Sequence, residues 1–424
     1  MHTERLACFG GDKALDAPMP HCPWPIITDA VRNAVLRQLD ASISLYKRSG
    51  VFLDFETKFA AYHGRKHALL NNSGTSALLA AYEALGITAG DEVICPTYTF
   101  FATASPMMYL GARPVFCDAT PSDGNIDPDD IERKITARTR AIVVTHMWGV
   151  PCDMERITAI AQRHGIPVIE DCSHAHGASV GGRKVGTFGD VAAWSLQGQK
   201  TITGGEGGVL ATDSDDAYYR ALALGHYNKR CLDEIPHDHD LRDFAVTGLG
   251  QKFRAHPLAI AIANEQFDHL DAWVAQRDVY ARAMNHAFAD IPFLALPDYP
   301  GTSPSWYAYV LRFDVSRAHG FSREQFVDML KAEGLAEVDI PASTAPIHRY
   351  ELFRNPHRVL PRFYTAEQDA AYQARQGEFP NADAFYAAAI KLPMWVRPED
   401  QHYVDGYIRG MRKVADYVMS NDHP

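Results

Sequence analysis

The sequence lacks any apolar run that reaches the ~18 residues a membrane-crossing helix needs; charges, glycines or prolines interrupt each one. Its start, with His2, Glu4 and Arg5, lacks the charged-then-apolar layout of a secretory leader, so a cytoplasmic location is the expectation. Seven cysteines (Cys8, Cys22, Cys95, Cys117, Cys152, Cys172 and Cys231) include no C-x-x-C pair. An odd, scattered set argues against a disulfide framework and a zinc knuckle, and buried thiols are expected. Positive charge is also short: 41 Lys and Arg against 52 Asp and Glu leave a formal −11. That balance excludes a general attraction to nucleic acid or to anionic lipid. Neither an internal repeat nor a low-complexity tract is present. What is there is a globular composition, 46% hydrophobic and 22% charged over 424 residues, a length of roughly two to three domains.

Between about 66 and 215, short Val- and Ile-rich runs alternate with helical patterns, which reads as an α/β fold with a mostly parallel sheet. Strands are expected at 92–95, 113–117, 141–146, 166–170, 191–195 and 208–211. A helix is expected over 153–163, with Met154, Ile157, Ile160 and Ala161 on one face behind Asp153 as cap. Open α/β sheets place ligands beyond strand carboxyl ends, so functional residues should follow the strands. The stretch 225–250, rich in His, Asp, Asn and Lys, reads as a long excursion away from the core. From about 257 a helical pattern runs past Ala283, and the rest mixes Pro-rich connections with short elements. The expected division is an N-terminal extension (1–24), a large domain (25–290) and a smaller C-terminal α+β domain (291–424).

Three segments carry chemistry. Asn71-Asn72-Ser73-Gly74-Thr75-Ser76 opens an amphipathic helix, where free amides and the helix dipole could hold a phosphate, although Ser and Thr there also serve simply as caps. The spacing is neither a P-loop nor a dinucleotide fingerprint. Val168-Ile169-Glu170-Asp171 ends a strand in two carboxylates, followed by His174 and His176; a strand-end acid there could pair with a protonated ring nitrogen, bind a metal with the histidines, or cap the next segment. The third segment delivers Ser195 and then Lys200 before Gly204-Gly205-Glu206-Gly207-Gly208. A lysine between an apolar strand and a Gly-rich run is a candidate for burial, and burial turns an ammonium into a usable amine that can form a Schiff base.

In this order, Ser73-Gly74-Thr75-Ser76-Ala77-Leu78, Gly90-Asp91-Glu92-Val93-Ile94, Pro96-Thr97-Tyr98-Thr99-Phe100, Glu170-Asp171, Ser195 with Lys200, and Gly205-Glu206-Gly207-Gly208 resemble the DegT/DnrJ/EryC1/StrS aminotransferases. The resemblance covers about 25–270 well and the tail more loosely. It implies the pyridoxal-phosphate transferase fold type I, a large mixed sheet flanked by helices plus a smaller domain. It further implies that Lys200 forms the internal aldimine with pyridoxal 5′-phosphate and shuttles the proton, and that Asp171 pairs with the ring nitrogen. Phe100 would stack on the ring, His174 would lie near its phenolic oxygen, and Gly74, Thr75, Ser76 and Ser195 would hold the phosphate.

A segment that in the family usually reads Gly-Tyr-Asn-Tyr-Arg stands here as Gly250-Gln251-Lys252-Phe253-Arg254. Lys252 would then replace a phosphate-binding Asn across a dimer interface, and Arg254 would take the donor's carboxylate. His348 resembles a substrate-side histidine. The implied activity is ping-pong transamination from L-glutamate or L-glutamine, through pyridoxamine phosphate, to a keto-sugar or keto-cyclitol. The implied assembly is a homodimer that shares its sites. A dehydratase branch carries His in place of the lysine, so Lys200 argues against it, and an aminotransferase-like synthase is the alternative on the same fold. A metal enzyme built on His174, His176 and Asp171 and a scaffold without turnover are the readings from other classes. Lys47, Arg48, Arg183 and Lys184 are further cations that could meet a phosphate.

Overall fold

The computed structural model describes residues 4–17 and 21–420. Parts of the expected terminal segments (1–3, 18–20 and 421–424) lie outside the described residues. Apolar β-branched runs build a seven-stranded sheet in the order β1 (His67–Asn71), β9 (Gly208–Thr212), β8 (Val191–Ser195), β5 (Val168–Asp171), β4 (Thr139–Thr145), β2 (Glu92–Pro96) and β3 (Arg113–Cys117). All neighbours from β8 to β3 pair in parallel, and β9 alone runs against the rest. Each of the six expected strands is present, and β1 is the strand that the alternating pattern did not mark. Two short strands, β6 (Ser179–Val180) and β7 (Arg183–Lys184), form a separate hairpin joined by β11 (Thr302–Ser303).

Helices cover both faces, as a sheet buried on two sides requires. On one face lies the helix Gly74–Ala84, whose Ala77, Ala80, Ala81 and Ala84 bring its axis close to the strands. Across the sheet, the helix Met154–His164 buries Met154, Ile157, Ile160 and Ala161, and Asp153 caps it by accepting from the Arg156 amide. The helices Val51–His63 and Pro257–Phe267 close another part of the core with Phe55, Phe59, Ile260 and Phe267. The continuous pattern expected from 257 is in fact broken between Phe267 and Leu270, where a second helix, Leu270–Phe288, begins.

A smaller sheet, β10 (Leu294–Ala295), β12 (Tyr309–Phe313) and β13 (Ala389–Leu392), packs with the helices Arg323–Ala332 and Gln401–Met419. Contacts cross the expected division at 290 in both directions. Leu6 and Leu15 bury in this smaller core, where Glu333 accepts from the Ala7 and Ala14 amides, while Ile347, Phe353, Leu360 and Phe379 bury on the main sheet.

The stretch 225–250 departs from expectation. It carries the helix Lys229–Glu234, and Cys231, Ile235 and Ala245 anchor it in the main core. Its firmest tie is ionic: fully buried Glu56 accepts from Arg230 Nη1 (2.8 Å) and Nη2 (3.1 Å), from Arg48 Nε (2.9 Å) and from the Leu70 amide (2.9 Å). Arg230 also donates to Glu234 (2.6 Å), but losing Glu56 would leave its Nη1 and the Arg48 Nε without their buried acceptor. Glu56→Ala is therefore expected to cost about 3–5 kcal/mol, and Glu56→Leu combined with Arg230→Met distinctly less. Urea unfolding followed by tryptophan fluorescence measures both, and equal losses would show that the pair's charge is not what holds the segment.

Candidate active site

The main sheet brings the chemistry-bearing segments to one edge. β1 ends at Asn71, opposite Gly208 of β9, which lies opposite Ser195 at the end of β8. One strand further, Asp171 ends β5 beside Thr145 of β4. Ser73 begins the helix Gly74–Ala84 through a capping box, its hydroxyl accepting from the Ser76 amide while Ser76 Oγ accepts from the Ser73 amide. Backbone meets backbone here: a Cβ on Gly74 would lie 2.7 Å from Ser195 Cβ, and one on Gly208 would lie 2.2 Å from the Ser73 carbonyl oxygen. The helix start, with its unpaired amides, is thus seated directly against Ser195.

Asp171 is 4% exposed; one oxygen accepts from Thr103 Oγ1 (2.7 Å) and the other from the Ser173 amide (3.1 Å). Thr99, Thr103 and Thr145 form a buried hydroxyl cluster behind it. Lys200 follows β8 in a turn fixed from three sides: Trp24 Nε1 donates to its carbonyl (3.1 Å), its amide donates to Gln197 O (2.8 Å), and Arg277 Nη1 donates to Thr201 Oγ1 (2.8 Å). Burial pushes the Lys200 amine down to about 8, with the Asp171 carboxylate pulling the other way. A lysine so placed gives up its proton far more readily than an exposed one.

The wall beside Lys200 is aromatic. His174 stacks on Tyr307 (4.1 Å between centroids, 5° between planes) and on Trp148 (5.6 Å), and the Lys200 ammonium lies 4.8 Å from the Tyr307 centroid. Burial, reinforced by Lys200 and His176, holds His174 well below the usual histidine range, so its ring is neutral at pH 7. Phe100 presents an exposed ring to the same cleft, which has a volume of about 360 Å³.

Gly74, Thr75, Phe100, Asp171, His174, Ser195 and Lys200 all line this cleft. Ser76 does not; its hydroxyl is spent on the cap and on Asn72 Oδ1. Lys252 is exposed and bridges to His226 through backbone, and Arg254 lies over Tyr46 (4.9 Å), both outside the cleft of the single chain. His348 also stays outside: its Nδ1 is 2.7 Å from Thr97 Oγ1, and its ring packs on Phe379. The other cations are engaged elsewhere, Lys47 on Asp233, Arg48 on Glu56, Arg183 on Thr187, and Lys184 over Tyr62. Missed by sequence reasoning were Trp24, Trp148, Arg277, Tyr307, Asp339 and Lys391, whose distance along the chain from Lys200 left no spacing signal.

A metal reading finds little to work with. Among the described residues the grouped ligand types are His146, Glu170 and Cys172. His146 Nδ1 accepts from the Cys152 amide, so Nε2 carries the hydrogen and donates to Glu170. Glu170 also accepts from the Gly186, Phe188 and Gly189 amides. Desolvation would raise this carboxyl, yet those donors hold it below the usual range. The cluster staples a loop and keeps no free imidazole lone pair.

The family model of the DegT/DnrJ/EryC1/StrS aminotransferase family matches residues 28–408. The chain belongs to that family. It is 31% identical to the L-glutamine:scyllo-inosose aminotransferase of Streptomyces griseus, over 97% of this chain and 98% of that one. It is 32% identical to the GDP-perosamine synthase of Vibrio cholerae, over 82% and 86%. Among solved structures, an aminotransferase from Psychrobacter cryohalolentis superposes with a TM-score of 0.83 at 27% identity, over 95% of this chain and 100% of that one. The protein is an aminotransferase, and its fold is that of the family.

The amine of Lys200 supplies a direct check of the site. Its acylation rate, followed by peptide mass spectrometry, is expected to rise with pH and reach half its maximum at about 8, whereas an exposed lysine does so near about 10.4. Asp171→Asn removes the charge that favours the ammonium, so the half-point should move lower still. A half-point at the ordinary lysine value would mean that Lys200 is not buried in solution.

Proposed function

We propose that this aminotransferase moves an amino group from L-glutamine or L-glutamate to a keto-cyclitol or keto-sugar, with pyridoxal 5′-phosphate as cofactor. The observation that carries the proposal is the placing of Lys200, its amine made more readily deprotonated by burial, and a buried Asp171 on one cleft, with a helix start pressed against Ser195 at its end.

The residues fit the cofactor. The amides of Gly74 and Thr75 and the hydroxyl of Ser195 would hold its phosphate, with Ser76 contributing by fixing the helix start. Asp171 keeps room for a cationic ring nitrogen, because its partners Thr103 and Ser173 leave acceptor capacity on each oxygen. Phe100 offers an aromatic face, and neutral His174 has an Nδ1 without a partner. When bound, the cofactor supplies the electron sink that transamination needs. Lys200 then takes a proton from the donor's carbon and delivers one to the acceptor's, a task suited to an amine that titrates near the working pH. The aromatic wall and the carboxylate are in place before the substrate arrives, so charge developing in the transition state meets groups already oriented.

Lys252 and Arg254 enter this scheme from a second copy of the chain, one toward the phosphate and the other toward the donor's carboxylate. Exposed apolar side chains support such a homodimer: Leu36, Leu39, Ile43 and Tyr46 are each more than half exposed, and Arg254 lies on Tyr46. His348 acts by supporting Thr97, close to Phe100, rather than by touching substrate. A cytoplasmic setting would suit the five buried free thiols; no helix among the described residues is long and apolar enough to cross a membrane.

The absorbance spectrum tests the proposal. Purified protein, or protein incubated with pyridoxal phosphate, is expected to show a visible band that L-glutamine or L-glutamate moves to shorter wavelength. Adding scyllo-inosose or a GDP-linked 4-keto sugar should then restore it. Lys200→Ala should lower turnover by at least about 10²–10⁴-fold, the contribution of a positioned proton carrier. Absence of any bound chromophore would remove the proposal.

A further inference from the structure

The cleft has a second lysine. Lys391 stands on β13, and Asp339 lies beside it on the preceding segment of the smaller domain; both line the wall of the cleft that holds Lys200. Two backbone bonds lock them side by side, the Asp339 amide donating to Lys391 O (2.9 Å) and the Lys391 amide to Asp339 O (2.8 Å). Their side chains meet at 3.3 Å between Nζ and Oδ2, about half of the Asp339 carboxylate remaining exposed. An ion pair this exposed adds little to stability. A lysine reserved for a carboxylate or phosphate would not be neutralised by an acid at contact distance. Paired, the two groups offer an ammonium donor and a carboxylate acceptor within one hydroxyl's reach of each other, a match for neighbouring hydroxyls on a ring.

The surroundings point the same way. Gln197, Gln199 and Ser343 add neutral hydrogen-bonding groups to the cleft, and no arginine lines it among the described residues. Three carboxylates, Asp171, Glu206 and Asp339, face two ammonium groups, Lys200 and Lys391. The cations that a second copy would bring are already assigned to the cofactor's phosphate and the donor's carboxylate. A diphosphate would enter an unfavourable field, whereas an uncharged polyol would not.

We propose that Asp339 and Lys391 read a pair of neighbouring hydroxyls on the acceptor, and that this acceptor is an uncharged polyhydroxylated ketone rather than a nucleotide-linked sugar. This rests on the aminotransferase reading above.

The two half-reactions, each followed by its spectral change in the holoenzyme, separate the possibilities. Wild-type protein charged with L-glutamine is expected to discharge faster with scyllo-inosose than with a GDP-linked 4-keto sugar. Lys391→Met and the near-isosteric Asp339→Asn should each raise the KM for scyllo-inosose by about ten-fold or more, the size of one lost hydrogen bond to a charged group. The KM for L-glutamine should move much less, and Lys391→Arg should restore part of the acceptor KM. A larger effect on L-glutamine would overturn the proposal by giving Lys391 to the donor's carboxylate. Unchanged acceptor KM in both variants, or preference for the nucleotide-linked sugar, would overturn it too. Failure of wild-type protein to react with any donor would instead sink the cofactor reading on which the proposal stands.

Discussion

The arrangement depends on a contact between backbones. Ser73 and Gly74 lie so close to Gly208 and Ser195 that a methyl group on either glycine would overlap its neighbour. This closeness seats the positive end of the helix Gly74–Ala84 at the edge of the sheet. It is possible only because the same helix presents alanines to the strands below. The capping box then fixes where the helix begins, to within one residue, by committing both Ser73 and Ser76. Slip that start by one position and the free amides no longer face Ser195. A phosphate site built this way needs no dedicated cation in the chain that forms it, and the cleft's balance of charge remains available for substrate.

Adjacent carboxylates on β5 show how a strand divides labour. Side chains alternate across a sheet, so Glu170 and Asp171 face opposite ways. Glu170 is drawn into a structural task, taking three amides of the 186–189 segment and the His146 ring, and Arg65 grips the same segment through the Gly186 and Gly189 carbonyls. Asp171 points to the cleft, with two partners and capacity to spare. Two acids in sequence are therefore one staple and one candidate catalytic group, and only the pleat tells them apart.

What sequence reading recovered follows from the range of the interactions. Strands such as Val191–Ser195, the Asp153 cap and the ordered set from Ser73 to Lys200 are visible because periodicity, capping and motif order are local. Trp148 and Tyr307 leave no such mark: they are brought to the site by a left-handed turn at Trp148 and by a crossover from the smaller domain. The stretch 225–250 was read as detached because its apolar residues are sparse, yet a few buried anchors and the Arg230–Glu56 pair suffice to hold it. Asp339 and Lys391 look like ordinary surface charges until the strand pairing of the smaller sheet turns both into the cleft.

Arg277 completes the electrostatic picture. It is 4% exposed, has no carboxylate partner among the described residues, and is held by Thr201 Oγ1, the Ser305 carbonyl and the face of Trp24 (5.7 Å) while its Nε goes unpaired. Burial pulls even this guanidinium down to about 10. Keeping such a group charged inside a protein is costly, and stability alone gives no reason for it. Its field adds to that of Lys200 in holding His176 down to about 3, after burial itself. His174 in the cleft and His176 outside its lining are thus neutral, and the charge that acts on Lys200 is the Asp171 carboxylate. The hydrogen bond from Arg277 to Thr201, the residue after Lys200, ties the buried guanidinium to the turn that presents the Lys200 amine, so the cost of burying the charge is set against the placing of that turn.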